Sequence, residues 1–228
     1  MNVAIIVAAG RGTRAGGEGP KQFRALAGVP LLIHTLRRFE ESASIDEIIV
    51  VAPVDETTFH LQANSSELKK LARVVEGGAT RSGSVWRGLE SLNASATEIV
   101  AVHDGVRPFV TPDEIDRTVR AAGESGAAVL CVPVVDTIKV IEGERIARTL
   151  PRETLRRALT PQCFHYELLR RAYEHARAEQ IEATDDSMLI ELLGAQVTIV
   201  EGDARNIKIT RPDDFALAEI LLKENRGQ

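Results

Sequence analysis

VAIIVAAGRGTRAGGEGPK, residues 3–21, joins a continuously apolar segment to a glycine-rich one. Residues 3–8 are rich in β-branched side chains, as expected of a strand that is buried on both faces of a parallel sheet. A glycine-rich turn directly after such a strand places backbone N–H groups at the carboxyl edge of the sheet, where phosphates bind. These residues therefore predict an α/β fold whose first loop approaches a phosphorylated ligand.

The alternation of strand-like and helical segments continues along the chain. Apolar segments predict strands at residues 47–52, 73–76, 99–102, 127–135 and 196–200. Helical spacing predicts helices at residues 30–41, 55–71, 80–92, 166–179, 187–193 and 212–223, and another that begins at Thr111. We expect a doubly wound, mostly parallel, Rossmann-like sheet covered by helices. No linker divides the sequence, so residues 1–228 are expected to form a single domain.

Residues 136–160 interrupt this alternation. Ile138, Val140 and Ile146 alternate with polar residues around Gly143, which predicts a β-hairpin. We call residues 136–160 the arm, because their small apolar content predicts a hairpin that projects from the domain. A projecting hairpin either lies in solvent or covers its edges against a second subunit, and the residue pattern alone leaves both alternatives open.

The composition narrows the class of protein. The 228 residues carry a formal net charge of −5 and are 44% hydrophobic and 27% charged. A mildly acidic globular chain is a poor candidate for binding nucleic acid or a membrane surface. The N-terminal apolar run ends at Gly10, too short for a signal peptide or a membrane span, so we expect a cytoplasmic protein. The two cysteines cannot form a disulfide framework, and Cys131, in an apolar run, is expected to be buried.

The loop after the first strand matches neither common phosphate-binding pattern. A dinucleotide fingerprint needs G-x-G-x-x-G, but the third glycine comes one residue late, and a P-loop lysine would not follow Pro20. Arg11, Arg14 and Lys21 nevertheless lie within eleven positions of a glycine-rich loop. Clustered cations favour a polyphosphate ligand, and the alternative is a solvated basic loop.

Other polar clusters follow predicted strands or begin predicted helices. They are residues 77–84 (GGATRSGS), 103–108 (HDGVRP), 184–187 (TDDS) and 206–212 (NIKITRP). Asp104 and Arg107 suit contacts to hydroxyls or a metal, or an ion pair that braces the turn. The other clusters could bind ligand or, as at residues 184–187, cap a helix. The histidines lack metal-ligand spacing, and no nucleophile motif is present. A basic pocket without a nucleophile favours direct phosphoryl or nucleotidyl transfer.

Seven ordered motifs carry a more specific signal. AAGRGTR…PKQ, GGxxRxxSV, HDGVRP, DTIK, LTPQCF, TDD and NIKITRPDD together resemble the family of 2-C-methyl-D-erythritol 4-phosphate cytidylyltransferases over residues 3–222. Ala15, the Gly105–Val106 pair and Pro151 depart from the usual family residues. The resemblance implies transfer of a cytidylyl group from CTP to 2-C-methyl-D-erythritol 4-phosphate, with Mg²⁺ on the CTP phosphates and no protein metal site.

The resemblance also implies roles for individual residues. Arg14 and Lys21 would stabilise the transition state, and Arg152 and Lys208 would position the attacking phosphate. The nucleotide would contact Ala8, Ala9, Gly10, Arg11, Gly12, Gly78, Ala79 and Ser84. The polyol phosphate would contact Asp104, Arg107, Thr137, Thr160 and Thr184. Arg152 and Thr160 would come from the arm of a partner subunit, which implies a homodimer.

Two alternatives stay open at this point. A ribitol-5-phosphate cytidylyltransferase shares the glycine loop, the H-D-x-V-R-P turn and N-I-K-I-T, although the A-A-G start and the P-R-E-T-L-R-R-A-L-T-P-Q segment fit the isoprenoid enzyme better. A non-catalytic CTP-binding protein would keep the loop and form no product.

Overall fold

The computed structural model describes residues 1–10, 19–62 and 64–226. The strands are β1 (Asn2–Val7), β2 (Ala25–Leu26), β3 (Val29–Pro30), β4 (Glu47–Val51), β5 (Leu71–Val75), β6 (Ile99–Asp104), β7 (Ala127–Pro133), β8 (Lys139–Glu142), β9 (Arg145–Thr149), β10 (Arg156–His165) and β11 (Thr198–Glu201). The helices are α1 (Leu31–Glu41), α2 (Val54–Gln62), α3 (Arg81–Glu90), α4 (Pro112–Ser125), α5 (Tyr166–Ala178), α6 (Asp186–Leu192) and α7 (Pro212–Arg226). Short 3-10 helices lie at Lys21–Phe23, Ser65–Glu67 and Arg152–Thr154.

The main sheet has the order β11-β7-β10-β6-β1-β4-β5. Strand β10 runs antiparallel to β6 and β7, whereas the other neighbouring pairs are parallel. In register, Val7 at the end of β1 lies beside Val51 of β4 and Asp104 of β6. The expected mostly parallel, doubly wound sheet is confirmed, and the carboxyl ends of its central strands meet at one edge.

Helices cover both faces of this sheet. Ile6 of β1 belongs to one apolar cluster and Ile5 to the cluster on the opposite face, as the alternation of side chains along a strand requires. Both side chains are fully buried, and each such burial contributes about 1.5–3 kcal/mol. A third cluster packs α7 beneath residues 206–209 through Ile209 and Leu222. This third cluster fixes the segment that carries Lys208.

Helix starts follow the predicted capping residues. Thr111 and Glu114 form a reciprocal capping box at the start of α4. Thr80 caps α3 by accepting a hydrogen bond from Gly83, and Asp185 caps α6 by accepting one from Met188. The two cysteines are buried and free, as predicted for Cys131. No helix in the described ranges is long and apolar enough to cross a membrane.

The hairpin β8–β9 forms within the arm as predicted, but the arm ends earlier than its predicted boundary. Residues 156–158 pair with β7 in the main sheet. Strand β10 was not predicted from the sequence, because Pro161 lies within it and proline is rare in a central strand. Within the hairpin, Ile141 faces Ile146 across the two strands, and both side chains are about two-thirds exposed (67% and 64%).

Candidate active site at the carboxyl edge of the sheet

A cleft of about 990 Å³ lies at the carboxyl ends of β1, β4, β5 and β6. It is the position at which doubly wound sheets bind their ligands. The structure brings nine of the predicted site residues to its wall: Ala8, Ala9, Gly10, Lys21, Gly78, Ala79, Ser84, Asp104 and Lys208. Residues separated by up to 200 positions in the sequence thus share one cavity.

The loop between β5 and α3 forms one wall through its backbone. A Cβ atom at Gly77 would lie 2.1 Å from the Cβ of Ala9, and one at Gly78 would lie 2.6 Å from the backbone of Gly83. The absence of side chains therefore lets this loop approach the end of β1. Ser84 Oγ accepts a hydrogen bond from the Gly78 N–H at 3.1 Å and donates to Thr80 O at 2.9 Å. These contacts hold the loop against the first turn of α3.

Lys21 also lines the cleft, and its neighbour Gln22 anchors the segment that carries it. The buried Gln22 amide donates to Ala8 O at 2.6 Å, which ties the 3-10 helix at Lys21–Phe23 to the end of β1. Lys21 Nζ donates to Ile209 O at 3.1 Å. Lys21 therefore contacts the segment that contains Lys208.

Asp104, at the end of β6, is the centre of a charged cluster. Its Oδ1 lies 3.3 Å from Arg81 Nε, and its Oδ2 lies 3.0 Å from Lys208 Nζ and 3.2 Å from Arg107 Nε. Burial alone would raise the pKa of the Asp104 carboxyl, but Arg81, Lys208 and Arg107 hold it well below its ordinary value. Asp104 is ionised, and the three cations exceed its single negative charge.

His103 lies beneath Asp104 and is neutral. Burial lowers its pKa to about 3. His103 Nε2 lies 3.2 Å from Arg107 O, a pure acceptor, so Nε2 carries the hydrogen. Nδ1 then accepts from Thr160 Oγ1 at 3.0 Å, and Thr160 Oγ1 accepts from the Asp104 N–H at 3.2 Å. This buried chain of hydrogen bonds fixes the backbone of Asp104.

Several predicted residues lie away from the cleft wall. Thr160 belongs to β10 and is 5% exposed, so the expectation that it is carried on a projecting arm is wrong. Arg107 forms the predicted ion pair and donates to Asn206 O at 2.8 Å, which turns it inward. Three further predicted residues lie outside the lining of the cleft and are exposed: Thr137, Arg152 and Thr184. Arg11, Gly12 and Arg14 lie outside the described residues.

Two side chains of the site, and the role of a third, were not predicted from the sequence. Arg81 lines the cleft and pairs with Asp104 and Asp186, although only its place in the GGxxRxxSV motif could have marked it. Gln22 had a comparable signal in the PKQ motif. His103 belongs to the predicted cluster at residues 103–108, but nothing in the sequence predicted its hydrogen bond with Thr160.

Known proteins resemble this chain over nearly its whole length. The family model described as "IspD: 2-C-methyl-D-erythritol 4-phosphate cytidylyltransferase" matches residues 2–224. The chain belongs to this family. A 2-C-methyl-D-erythritol 4-phosphate cytidylyltransferase of Geobacter metallireducens is 46% identical over 225 residues, covering 97% of each chain. The corresponding protein of Acidobacterium capsulatum is 45% identical over the full length of both chains.

Solved structures of family members superpose on this chain. The enzyme of Thermus thermophilus matches with a TM-score of 0.77 and 41% identity, covering 98% of this chain and 100% of that one. The Anaerococcus prevotii 4-diphosphocytidyl-2C-methyl-D-erythritol synthase matches with a TM-score of 0.87 and 31% identity, covering 97% and 96%. The predicted resemblance is confirmed, and the chain is a cytidylyltransferase of the isoprenoid-pathway type.

Proposed function

We propose that this cleft transfers the cytidylyl group of CTP to 2-C-methyl-D-erythritol 4-phosphate, giving 4-diphosphocytidyl-2-C-methyl-D-erythritol and pyrophosphate. The family membership of the whole chain supports this activity. The observation that carries the site assignment is the convergence of Lys21, Lys208 and the Asp104 cluster on the cleft beside Gly10 and residues 77–81. Phosphates of both substrates would meet there.

The chemical difficulty of this reaction is electrostatic. A phosphate monoester must approach a triphosphate, and two like unit charges 4 Å apart repel by about 4 kcal/mol at an effective dielectric constant of 20. Lys21 and Lys208 both line the cleft, and Lys21 Nζ contacts the carbonyl of Ile209, the residue after Lys208. Arg81 and Arg107 both pair with Asp104. Preorganised cations in such a site lower the barrier without any reorganisation during the reaction.

A phosphate oxygen of the acceptor would attack the α-phosphorus of CTP directly. The new P–O bond forms as the bond to the bridging oxygen of pyrophosphate breaks, so no group is left on the protein. The hydroxyls that line the described part of the cleft support this route, because each is already engaged. Ser84 and Thr80 hold the start of α3, and Thr210 Oγ1 donates to Asp214 at 2.9 Å. His103 is buried and engaged with Thr160, so it cannot serve them as a base.

The roles implied by the family resemblance divide these residues between the two substrates. Gly78, Ala79 and Ser84, with Ala8 and Ala9, would contact the cytidine, and Gly10, Arg11 and Gly12 would hold the triphosphate. Arg14 and Lys21 would stabilise the transition state, and Lys208 would position the attacking phosphate. The polyol would lie near Asp104, Arg107, Thr160 and Thr184.

Mg²⁺ would be held in this site by the phosphates of the nucleotide rather than by side chains of the protein. Within the described ranges, no group of three acidic, histidine or cysteine side chains could hold a metal ion. Asp104 is occupied by cations and is a poor additional ligand. When bound to the CTP phosphates, Mg²⁺ would neutralise part of their charge.

The exposed arm supports a homodimer, which we propose as the active form. Arg152 and Thr137 lie outside the cleft of their own chain, and Ile141 and Ile146 expose apolar surface that a second subunit would cover. Mixed dimers test this proposal. Homodimers of Arg152→Ala or of Lys21→Ala should each be strongly impaired, and mixing the two chains should restore part of the activity, because one of the two sites then holds both intact residues. Full activity of an isolated Arg152→Ala chain would contradict it.

Product analysis tests the activity and its acceptor. The protein is incubated with CTP and Mg²⁺, and with either 2-C-methyl-D-erythritol 4-phosphate or ribitol 5-phosphate. Mass spectrometry should show the diphosphocytidyl product and equimolar pyrophosphate with the first acceptor. Preference for ribitol 5-phosphate would identify the alternative enzyme, and CTP binding without product from either acceptor would identify a non-catalytic protein.

A further inference from the structure

A buried chain of polar contacts approaches the cleft from behind. The Tyr173 hydroxyl donates to Asp186 Oδ1, and Asp186 Oδ2 lies 2.8 Å from Arg81 Nη2. The same guanidinium reaches Asp104 Oδ1 through Nε at 3.3 Å. The contacts thus run from α5 through α6 and α3 to the end of β6. Arg81 connects a carboxylate inside the protein to one in the cleft.

The inner end of this chain is fixed. The Asp186 side chain is 1% exposed, and Tyr173 is 2% exposed. Gln162 Oε1 accepts from the backbone N–H groups of Asp186 and Ser187 at 3.1 and 3.0 Å. A buried carboxylate without a cation would be strongly destabilising, so Asp186 fixes the position of Arg81 in turn.

The outer end of the chain is part of the cleft. Arg81 lines the cavity, with 29% of its side chain exposed. Burial would lower the pKa of Arg81, but Asp186 and Asp104 raise it above its ordinary value, so the guanidinium stays charged. Its planar fork can address two carboxylates through different nitrogens, which a lysine ammonium cannot do with the same geometry.

We propose that Arg81, held by Asp186 and Tyr173, is a positioning residue that fixes the orientation of Asp104 in the acceptor half of the cleft. By occupying Oδ1, Arg81 leaves Oδ2 to Lys208 and Arg107. The position of Lys208 relative to the incoming phosphate then depends on the contact between Arg81 and Asp186. This inference rests on the proposed function, since it assigns a role within the same site.

Conservative variants test the chain of contacts. Asp186→Asn keeps the shape but removes the charge that holds Arg81, and Tyr173→Phe removes one hydroxyl. Tyr166→Phe is the matched control, because this second buried tyrosine of α5 pairs its hydroxyl with Arg170 instead. We expect Asp186→Asn to raise the KM for 2-C-methyl-D-erythritol 4-phosphate about tenfold, as a small misplacement of a positioning group does. The KM for CTP should stay within threefold, and Tyr166→Phe should change neither constant.

A double variant separates positioning from folding. Arg81→Gln alone leaves Asp186 buried without its cation and would lower the melting temperature. Arg81→Gln/Asp186→Asn removes both charges and should regain stability while keeping the raised acceptor KM of the single variant. The inference is overturned if the acceptor KM returns to the wild-type value with stability, if both KM values rise equally, or if Asp186→Asn leaves them unchanged. Wild-type protein that forms no product would instead overturn the proposed function together with this inference.

Discussion

Lys208 Nζ lies 3.0 Å from Asp104 Oδ2, so a residue of the segment before α7 pairs with the last residue of β6. The backbone supports the contact, because the Ile209 N–H donates to Val106 O at 3.0 Å. Asp104 is 6% exposed, whereas the Lys208 side chain is 39% exposed toward the cleft. A buried carboxylate thus holds a partly free ammonium group where an incoming phosphate can reach it.

Asp104→Asn should destabilise the fold strongly, because it leaves three cations facing one another around a neutral amide. Losing one partner of a buried charge cluster costs about 3 kcal/mol or more in the free energy of unfolding. Urea unfolding of the variant measures this loss. Asp113→Asn is the control, because its pair with Arg117 is exposed and should be worth less than about 1 kcal/mol. Equal effects of the two substitutions would show that the cluster does not depend on Asp104.

Lys21→Ala should lower kcat by about 100-fold or more, because it removes a cation from the place where charge develops in transfer. Steady-state assays of pyrophosphate release measure this effect. Lys69→Ala, an exposed lysine beside Glu40, should retain wild-type turnover. A Lys21→Ala enzyme that turns over within threefold of wild type would exclude the transition-state role.

Gly77→Ala should weaken CTP binding, because its new Cβ would lie 2.1 Å from the Cβ of Ala9 and would displace the loop that faces the nucleotide. We expect the KM for CTP to rise by about tenfold or more. Gly123→Ala on α4 is the matched control, since nothing lies within 4 Å of its added Cβ and alanine favours a helix by up to about 1 kcal/mol. A CTP KM that is equal in both variants would contradict this view of the loop.

The stability of the protein should fall as the pH drops from about 6.5 toward 4, in part because of His103. Burial lowers the pKa of this imidazole from 6.5 to about 3, so the unfolded chain binds a proton in this window that the native state excludes. One such group makes the free energy of unfolding fall by up to about 1.4 kcal/mol for each pH unit. Urea unfolding at several pH values should therefore give a shallower slope for His103→Asn than for wild type. Identical slopes would mean that His103 has the same pKa in the native and unfolded states, which contradicts its buried, neutral form.

The fold was largely predictable because buried parallel strands have a strong signature. Residues 3–8, 48–52 and 99–102 are continuously apolar, and the strands predicted at 3–8, 47–52 and 99–102 each form within one or two residues of those bounds. Strand β10 lacks this signature, since Thr160, Pro161 and Gln162 interrupt it. Its assignment depends on pairing with β6 and β7 on both sides, which is a property of the folded sheet.

The site was predictable only where short motifs carry it. Gly10, the segment at residues 77–84, Asp104 and Lys208 were identified from the sequence, and they meet in the cleft. The pair between Arg81 and Asp186 joins residues 105 positions apart, and no local spacing predicts such a contact. The inward turn of Arg107 depends likewise on the distant carbonyl of Asn206.

The configuration at phosphorus tests the direct in-line transfer. The enzyme is supplied with one diastereomer of CTP that carries sulfur on the α-phosphorus, and the configuration of the diphosphocytidyl product is determined by ³¹P NMR. A single displacement by the acceptor phosphate predicts inversion. Retention would require two displacements through a cytidylylated residue of the protein, and would contradict a cleft that acts by positioning and charge alone.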